Sequence, residues 1–408
     1  FTAIKGWADL GKKYSAINKD LKDKKIDEAK ADELKFAAYD EFLKAGGITA
    51  PDKYTFRVEL TTPFAPAFVR LGGYGILPKH LLEKDVNNMK ASALAKAPVG
   101  TGSMKFVEGG KDDHITLERN TEWTNRSVTG KGPLNIERMI IKVIPDQQAN
   151  MVALETGETD LATITPEMFE HFKNNVKHVQ LFEYMTFSYT YMGYNLQSPM
   201  FSDKRVRQAI NYGVDKEAIV NSLLGGAGRV LDAPMAEPIF GYSKQTPYKR
   251  DVAKAKQLLK DAGIAEGTKI TLHHPAGRYA QDAKVAEAIA VQLKDIGLNV
   301  ELKTLEWAQY LQFTAKPSKD SEMQMAMLGW STPTMDADYA LYNLFHSSLW
   351  PDKNGFNRSF YKNDEVDQLL STAQTTVDPA ARKDAYAKAI KLIWEDAPWL
   401  FLHSETQL

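Results

Sequence analysis

Met325-Ala-Met-Leu-Gly-Trp-Ser-Thr-Pro-Thr-Met-Asp-Ala-Asp-Tyr-Ala-Leu-Tyr-Asn-Leu-Phe345 holds the pattern from which the fold of this chain is read. The apolar run Met325 to Leu328 ends at Gly329-Trp330, crosses a turn-rich segment with Pro333, and restarts at Asp336. A short apolar run closed by Gly and Pro reads as a buried strand. Asp336 or Asp338 then offers an N-cap for a helix in which Tyr339, Tyr342 and Phe345 repeat at three-residue spacing. Strand, loop and helix start are a common ligand position in α/β proteins. There Trp330 presents a flat apolar face, and Asp336 and Asp338 present carboxylate acceptors. The same residues also suit plainer work, Trp330 as core and the aspartates as caps.

Outward from this stretch, strands and helices alternate. Upstream, Asp203 and Asp215 cap two helices, the second stopped by Gly225-Gly226, and Asp251 caps a third, stopped by Gly263. A strand from Lys269 to Leu272 leads to a helix from about Tyr279 to Ile296, a strand from Asn299 to Leu305, and a short helix from Trp307 to Phe313. Downstream come helices at Glu365 to Thr375 and Pro379 to Glu395, then Pro398-Trp-Leu-Phe-Leu402 as a buried strand. This alternation implies a mixed sheet covered by helices. Between Pro98-Val-Gly-Thr-Gly102 and Tyr194 the pattern gives strands at Ser103 to Glu108, His114 to Glu118, Arg138 to Ile144, Asp160 to Ile164, Val179 to Phe182 and Phe187 to Tyr194. Near the N-terminus, residues 20–45 read as solvated helices, Tyr54-Thr-Phe-Arg-Val-Glu-Leu60 as a half-buried strand, and Ile76 to Leu82 as a short helix.

The 408 residues exceed one ordinary domain, and 43% hydrophobic with 25% charged residues is a globular balance. A formal charge of -1 without a Lys/Arg block gives no nucleic-acid footprint. No apolar run is long enough for a membrane span. With no cysteine, thiolate metal sites, disulfides and Cys nucleophiles are excluded, while compartment stays open. Phe1 in place of Met reads as a processed product or a fragment.

The catalytic templates G-x-S-x-G, G-x-x-x-x-G-K-[ST] and H-E-x-x-H do not occur. Gly225-Gly-Ala-Gly228 sits where a helix ends and lacks dinucleotide-binding spacing. His273 and His274, adjacent on a strand, point to opposite faces and do not converge on one metal. No metal and no cofactor is expected. What remains is a chain that encloses a polar ligand without transforming it.

Met200-Phe-Ser-Asp-Lys-Arg-Val-Arg-Gln-Ala-Ile-Asn-Tyr-Gly-Val-Asp-Lys-Glu-Ala-Ile-Val220 resembles the helix pair of the family 5 extracellular solute-binding proteins, receptors of ABC importers for dipeptides, oligopeptides, glutathione and nickel complexes. Pro98-Val-Gly-Thr-Gly-Ser-Met-Lys-Phe106 with Leu117-Glu-Arg-Asn120, Ala153-Leu-Glu-Thr-Gly-Glu-Thr-Asp-Leu161, Gly329-Trp330 and Pro398-Trp399 are similar to further blocks of that family in the same order. The run from Trp350 through Phe360-Tyr-Lys-Asn-Asp-Glu-Val-Asp367 to Trp399 is most similar to the glutathione-binding branch. The family's usual opening and closing segments have no counterpart here. In peptide-binding members an Asp three residues after the Trp pairs with the ligand's α-amino group; here that position is Pro333, which forms no ion pair.

The resemblance implies an α/β, periplasmic-binding-protein-like fold: two lobes with mixed sheets plus an extra small α+β domain. Its expected domains are 1–98, part of the small α+β domain; 99–190, an incomplete first-lobe α/β segment; 191–402, the second lobe; and 403–408, the start of a return to the first lobe. It implies a non-enzymatic, monomeric receptor that captures a dipeptide, an oligopeptide or a glutathione-like peptide outside the cytoplasmic membrane, in a periplasm or at a cell surface. Its partners are then ABC permease subunits, with membrane association through the permease or a lipid anchor only. A nickel chelate or a sugar as the solute, and more distantly a secreted hydrolase, are the alternatives. The expected ligand-binding residues are Gly329, Trp330, Ser331, Asp336, Asp338, Tyr339, Arg278 and Asn195. Trp330 stacks on the ligand, Gly329 and Ser331 offer backbone groups, Asp336 takes an ammonium in place of the missing family Asp, Tyr339 forms a wall, Asn195 lines the cleft, and Arg278 takes a carboxylate through its bidentate fork.

Overall fold

Met325 and Met327 pack into one apolar core and Ala326 and Leu328 into another, so the decisive run is a strand buried on both faces. The computed structural model describes residues 3–82, 92–110, 113–123 and 135–407. Phe1 and Leu408 lie outside them. The chain divides into two units, one formed by Phe1–Thr61 with Gly72–Ala162, the other by Thr62–Leu71 with Thr163–Leu408.

In the first unit the helices Trp7–Lys22 and Glu28–Lys44 pack around Ile4, Leu10, Ala38 and Phe42. Asp27 caps the second helix, its carboxylate accepting from the Lys30 N–H at 2.8 Å. Strands β1 (Ile48–Asp52) and β2 (Thr55–Val58) form an antiparallel pair. The alternation at Tyr54 to Leu60 does mark a strand, but Tyr54 and Phe56 are 88% and 70% exposed, a correction to the half-buried expectation. Strands β3 (Met104–Gly109), β4 (His114–Arg119) and β5 (Arg138–Lys142) make a separate antiparallel sheet.

The second unit is built on a six-stranded mixed sheet. Its strands are β6 (Tyr184–Tyr194), β7 (Gly228–Val230), β8 (Thr268–Pro275), β9 (Leu298–Leu305), β10 (Met325–Ser331) and β11 (Trp399–Gln407), in the order β7-β11-β6-β10-β8-β9. Strand β6 runs antiparallel to both neighbours, while β8 runs parallel to β9 and β10. The C-terminal ends of β8, β10 and β11 therefore face the same way. Two expected strands are not formed: residues 160–164 and 179–182 carry no ladder, and pairing begins only at Tyr184. Short apolar stretches alone did not distinguish these connections from strands.

Helices Lys204–Gly213, Val252–Asp261 and Asp282–Asp295 cover one face of this sheet, and Asp364–Thr375 with Pro379–Asp396 cover the other. Arg207, in the family-like block, explains part of that block's composition. Its buried guanidinium donates to the carbonyls of Asp396 at 2.9 and 2.6 Å, Phe201 at 2.7 Å and Ser202 at 2.9 Å. A cation thereby satisfies the last carbonyls of Pro379–Asp396, where the chain turns at Ala397 with φ 48°. Gly225 and Gly226, at φ 57° and 81°, end the preceding helical segment as expected.

Candidate ligand-binding site

Along β10 burial fades from Leu328 onward: Gly329 and Trp330 are half-buried and Ser331 is exposed. These three residues emerge where β10 pairs with Thr190, Tyr189 and Ser188 of β6. Across β6, the end of β11 brings His403, Glu405 and Thr406 to the same place, and the turn after β8 brings Arg278 and Tyr279. Together they line a cavity of about 290 Å³ with Ser188, Leu224 and Ala227. The position outside the carboxyl ends of parallel strands is where open α/β sheets hold ligands.

Gly329 is required by its neighbour. A Cβ there would lie 2.6 Å from Cε1 of Tyr279, and the Gly329 N–H donates to the Tyr279 hydroxyl oxygen at 2.8 Å. Tyr279 in turn is set by Asp282, whose carboxylate accepts from the N–H groups of Arg278 at 2.8 Å and Tyr279 at 3.3 Å. That capping turn aims Arg278 over the rings of Tyr279 and Trp307, at 5.2 and 5.1 Å. Among the described residues its guanidinium has no carboxylate within 4.0 Å.

Trp330 rests against Tyr339, ring centroids 5.4 Å apart, and against Phe356 at 5.3 Å. Its buried Nε1–H has no acceptor among the described residues. His403, only 4% exposed, likewise leaves Nδ1 without a partner. Burial depresses the His403 imidazole to about 4, so it is neutral at pH 7. Burial raises the Glu405 carboxyl above its ordinary range, opposed by a hydrogen bond from Thr190 and by the charge of Arg278.

The structure thus gathers Arg278, Gly329, Trp330 and Ser331 at one cavity and sets Tyr339 behind the indole. The other candidates lie elsewhere. Asp336 is buried, and its two oxygens accept from Nη2 and Nη1 of Arg382 at 2.9 and 3.0 Å. It also accepts from the Asp338 N–H at 3.0 Å, the capping role allowed for it. Asp338, fully buried, accepts from Arg70 and Gln374, each at 2.7 Å. Both carboxylates are therefore spoken for inside the protein. A π-helical turn, Asp338–Tyr342, opens the segment that the spacing assigns to an α-helix. Asn195 follows the far end of β6, where its N–H donates to the Gln324 carbonyl at 2.9 Å, so the sheet's length separates it from Trp330. Glu405, His403 and Tyr279 were missed by sequence reasoning. The turn signal that selects Arg278 was also the signal for Tyr279, whereas Glu405 sits in a polar stretch with no apolar alternation.

Residues 15–352 match the bacterial extracellular solute-binding proteins, family 5 Middle. The chain is 28% identical to the glutathione-binding protein GsiB of Pectobacterium atrosepticum over 393 residues, 96% of this chain and 74% of that protein. It is 31% identical to the oligopeptide-binding protein AppA of Bacillus subtilis over 355 residues, 82% of this chain and 62% of that protein. Among solved structures it is similar to the periplasmic binding protein DppA of Helicobacter pylori in complex with the peptide STSA. That match has a TM-score of 0.70 and 30% identity, covering 88% of this chain and 69% of the other.

Proposed function

We propose, from the premise that this chain belongs to the family 5 bacterial extracellular solute-binding proteins, that it captures a small peptide outside the cytoplasmic membrane and delivers it to an ABC permease. The observation that carries the reading is the cavity at the ends of β8, β10 and β11, where an indole, a guanidinium and a carboxylate meet. An aromatic wall with a few convergent polar groups is the profile of a small-molecule site. The glutathione-binding and oligopeptide-binding names of its relatives favour a peptide over a sugar. Arg278, Gly329, Trp330 and Ser331 are the ligand contacts in this reading, with Tyr339 buttressing Trp330 from behind.

The chain acts as a monomeric carrier and not as an enzyme. In this reading the permease or a lipid anchor holds the protein at the membrane; no described helix is long and apolar enough to cross one. The test is a thermal-shift panel of glutathione, dipeptides, longer peptides and nickel–histidine chelates on the mature receptor, paired with a search for cleavage products. A ligand that binds only the folded state raises its melting point, by about 2.7 kcal/mol of added stability at a hundredfold excess over Kd. Stabilisation by a peptide without product supports the reading. Steady turnover, or stabilisation by chelates alone, overturns it.

A further inference from the structure

We infer that Arg70 is a positioning residue of the ligand cavity: its guanidinium clamps Tyr339, and Tyr339 holds the Trp330 indole at the lining. The inference rests on the Trp330 cavity of the reading above and adds to it a residue that stands outside that lining.

Arg70 lies in the helix Ala67–Gly72. Residues Thr62–Leu71 belong to the second unit, although the chain before and after them belongs to the first. The Ala65 N–H donates to the Gln374 carbonyl at 2.7 Å and pins this segment. From there Arg70 engages two adjacent residues in two ways. Its Nη2 donates to Asp338 Oδ2 at 2.7 Å, and its Cζ lies 4.8 Å from the centroid of the Tyr339 ring. Gln374 donates to the other oxygen of Asp338 at 2.7 Å, so the carboxylate is a fixed anchor for the guanidinium. A planar guanidinium suits both tasks, pairing at its edge and stacking with its face. The π-helical turn Asp338–Tyr342 sets the anchored Asp338 directly before Tyr339, and such turns are frequent at functional sites.

The same Tyr339 ring meets Trp330 at 5.4 Å, tilted by 32°. The other ring against the indole is Phe356, at 5.3 Å, but Phe356 is 47% exposed. Tyr339 is therefore the firmer of the two supports. Any cation could neutralise Asp338; the ring contact is what ties this ion pair to the cavity.

The experiment replaces all seven tryptophans of the full chain with 5-fluorotryptophan and records fluorine NMR spectra without ligand. The Trp330 signal is assigned by its loss in Trp330→Phe. Arg70→Met alone strands the buried Asp338 carboxylate and can unfold the chain, so the test variant is Arg70→Met with Asp338→Asn. We expect its Trp330 signal to shift or broaden, while that of Trp394, packed on Tyr248 and Phe401, stays in place. Affinity for glutathione should fall by about fivefold, the size of one lost cation–ring contact. In a Tyr339→Leu background the same pair of substitutions should cost no further affinity. An unmoved Trp330 signal overturns the inference, as does an affinity loss of equal size with and without Tyr339. Failure of glutathione and of trialanine to bind the parent chain counts against the peptide-receptor reading, and the ligand-free signal still decides the role of Arg70.

Discussion

The guanidinium of Arg382 grips the carboxylate of Asp336 through two parallel contacts of 2.9 and 3.0 Å, with both side chains more than nine-tenths buried. Arg382 also donates to the Ala373 carbonyl at 2.9 Å and the Tyr386 hydroxyl at 3.0 Å, so its hydrogen-bonding capacity is well used. Removing one partner of such a pair leaves a buried charge alone, which costs about 3–5 kcal/mol. Arg382→Met should therefore lower the urea midpoint sharply, and adding Asp336→Asn should recover much of the loss. A loss under about 1 kcal/mol, typical of an exposed pair, would contradict the burial-based account.

Gly329→Ala places a Cβ against the Tyr279 ring, where the closest approach of 2.6 Å leaves no room. The ring must move or β10 must shift, and overpacking of this kind costs about 1–3 kcal/mol. The variant should lose stability and ligand binding together. Combining it with Tyr279→Ala should restore part of the stability, because the clash is gone, without restoring binding. Chemical denaturation of the two variants separates these outcomes.

Trp330→Ala removes the aromatic wall while keeping the strand's backbone ladder. Affinity for the strongest ligand should fall by more than about tenfold, or roughly 1.4 kcal/mol. Trp330→Phe, which still contacts Tyr339 but has no N–H to donate, should fall in between. Titration calorimetry decides, and an unchanged Kd would take the indole out of the site.

Acid should weaken the fold through two histidines. Burial depresses His403 to about 4, and burial reinforced by Lys303 depresses His273 to about 4. Unfolded histidine titrates near about 6.5, so as pH falls the unfolded chain takes up these protons first. The stability they contribute is whole above about pH 6.5 and is lost progressively toward about pH 4, with a slope of up to about 1.4 kcal/mol per pH unit for each group. Asp338 and Glu405, raised by burial, work in the opposite direction. His403→Gln should flatten the pH dependence of the unfolding free energy by close to one proton, measured in urea between roughly pH 7 and pH 4.5.

The sheet's core strands were legible because their side chains alternate between two apolar cores. Met325 to Leu328 and Trp399 to Leu402 are apolar throughout, as strands covered on both faces must be. The turn that brings Arg278 to the cavity lining was legible from its Gly ahead of a helix. Glu405 was not, since His403-Ser-Glu-Thr-Gln407 looks like a solvated tail. Its strand continues because β6 and the three-residue β7 pair with it on either side, and a strand as short as Gly228–Val230 leaves no periodicity to read. Asp336 and Asp338 were misplaced as ligand groups for a related reason. Their arginines lie 46 and 268 positions away, and local spacing does not report such partners.

Strand β6 lies between β10 and β11, so Thr186 meets the Glu405 carbonyl across 219 residues of chain. Contacts that distant must await closure of a very large loop, which makes them slow to form. A nascent polypeptide would hold Trp330 and Arg278 for some time before the acid opposite them docks. A peptide that needs both halves of the cavity should then leave the refolding rate nearly untouched and act almost entirely by slowing the rate at which the finished protein comes apart.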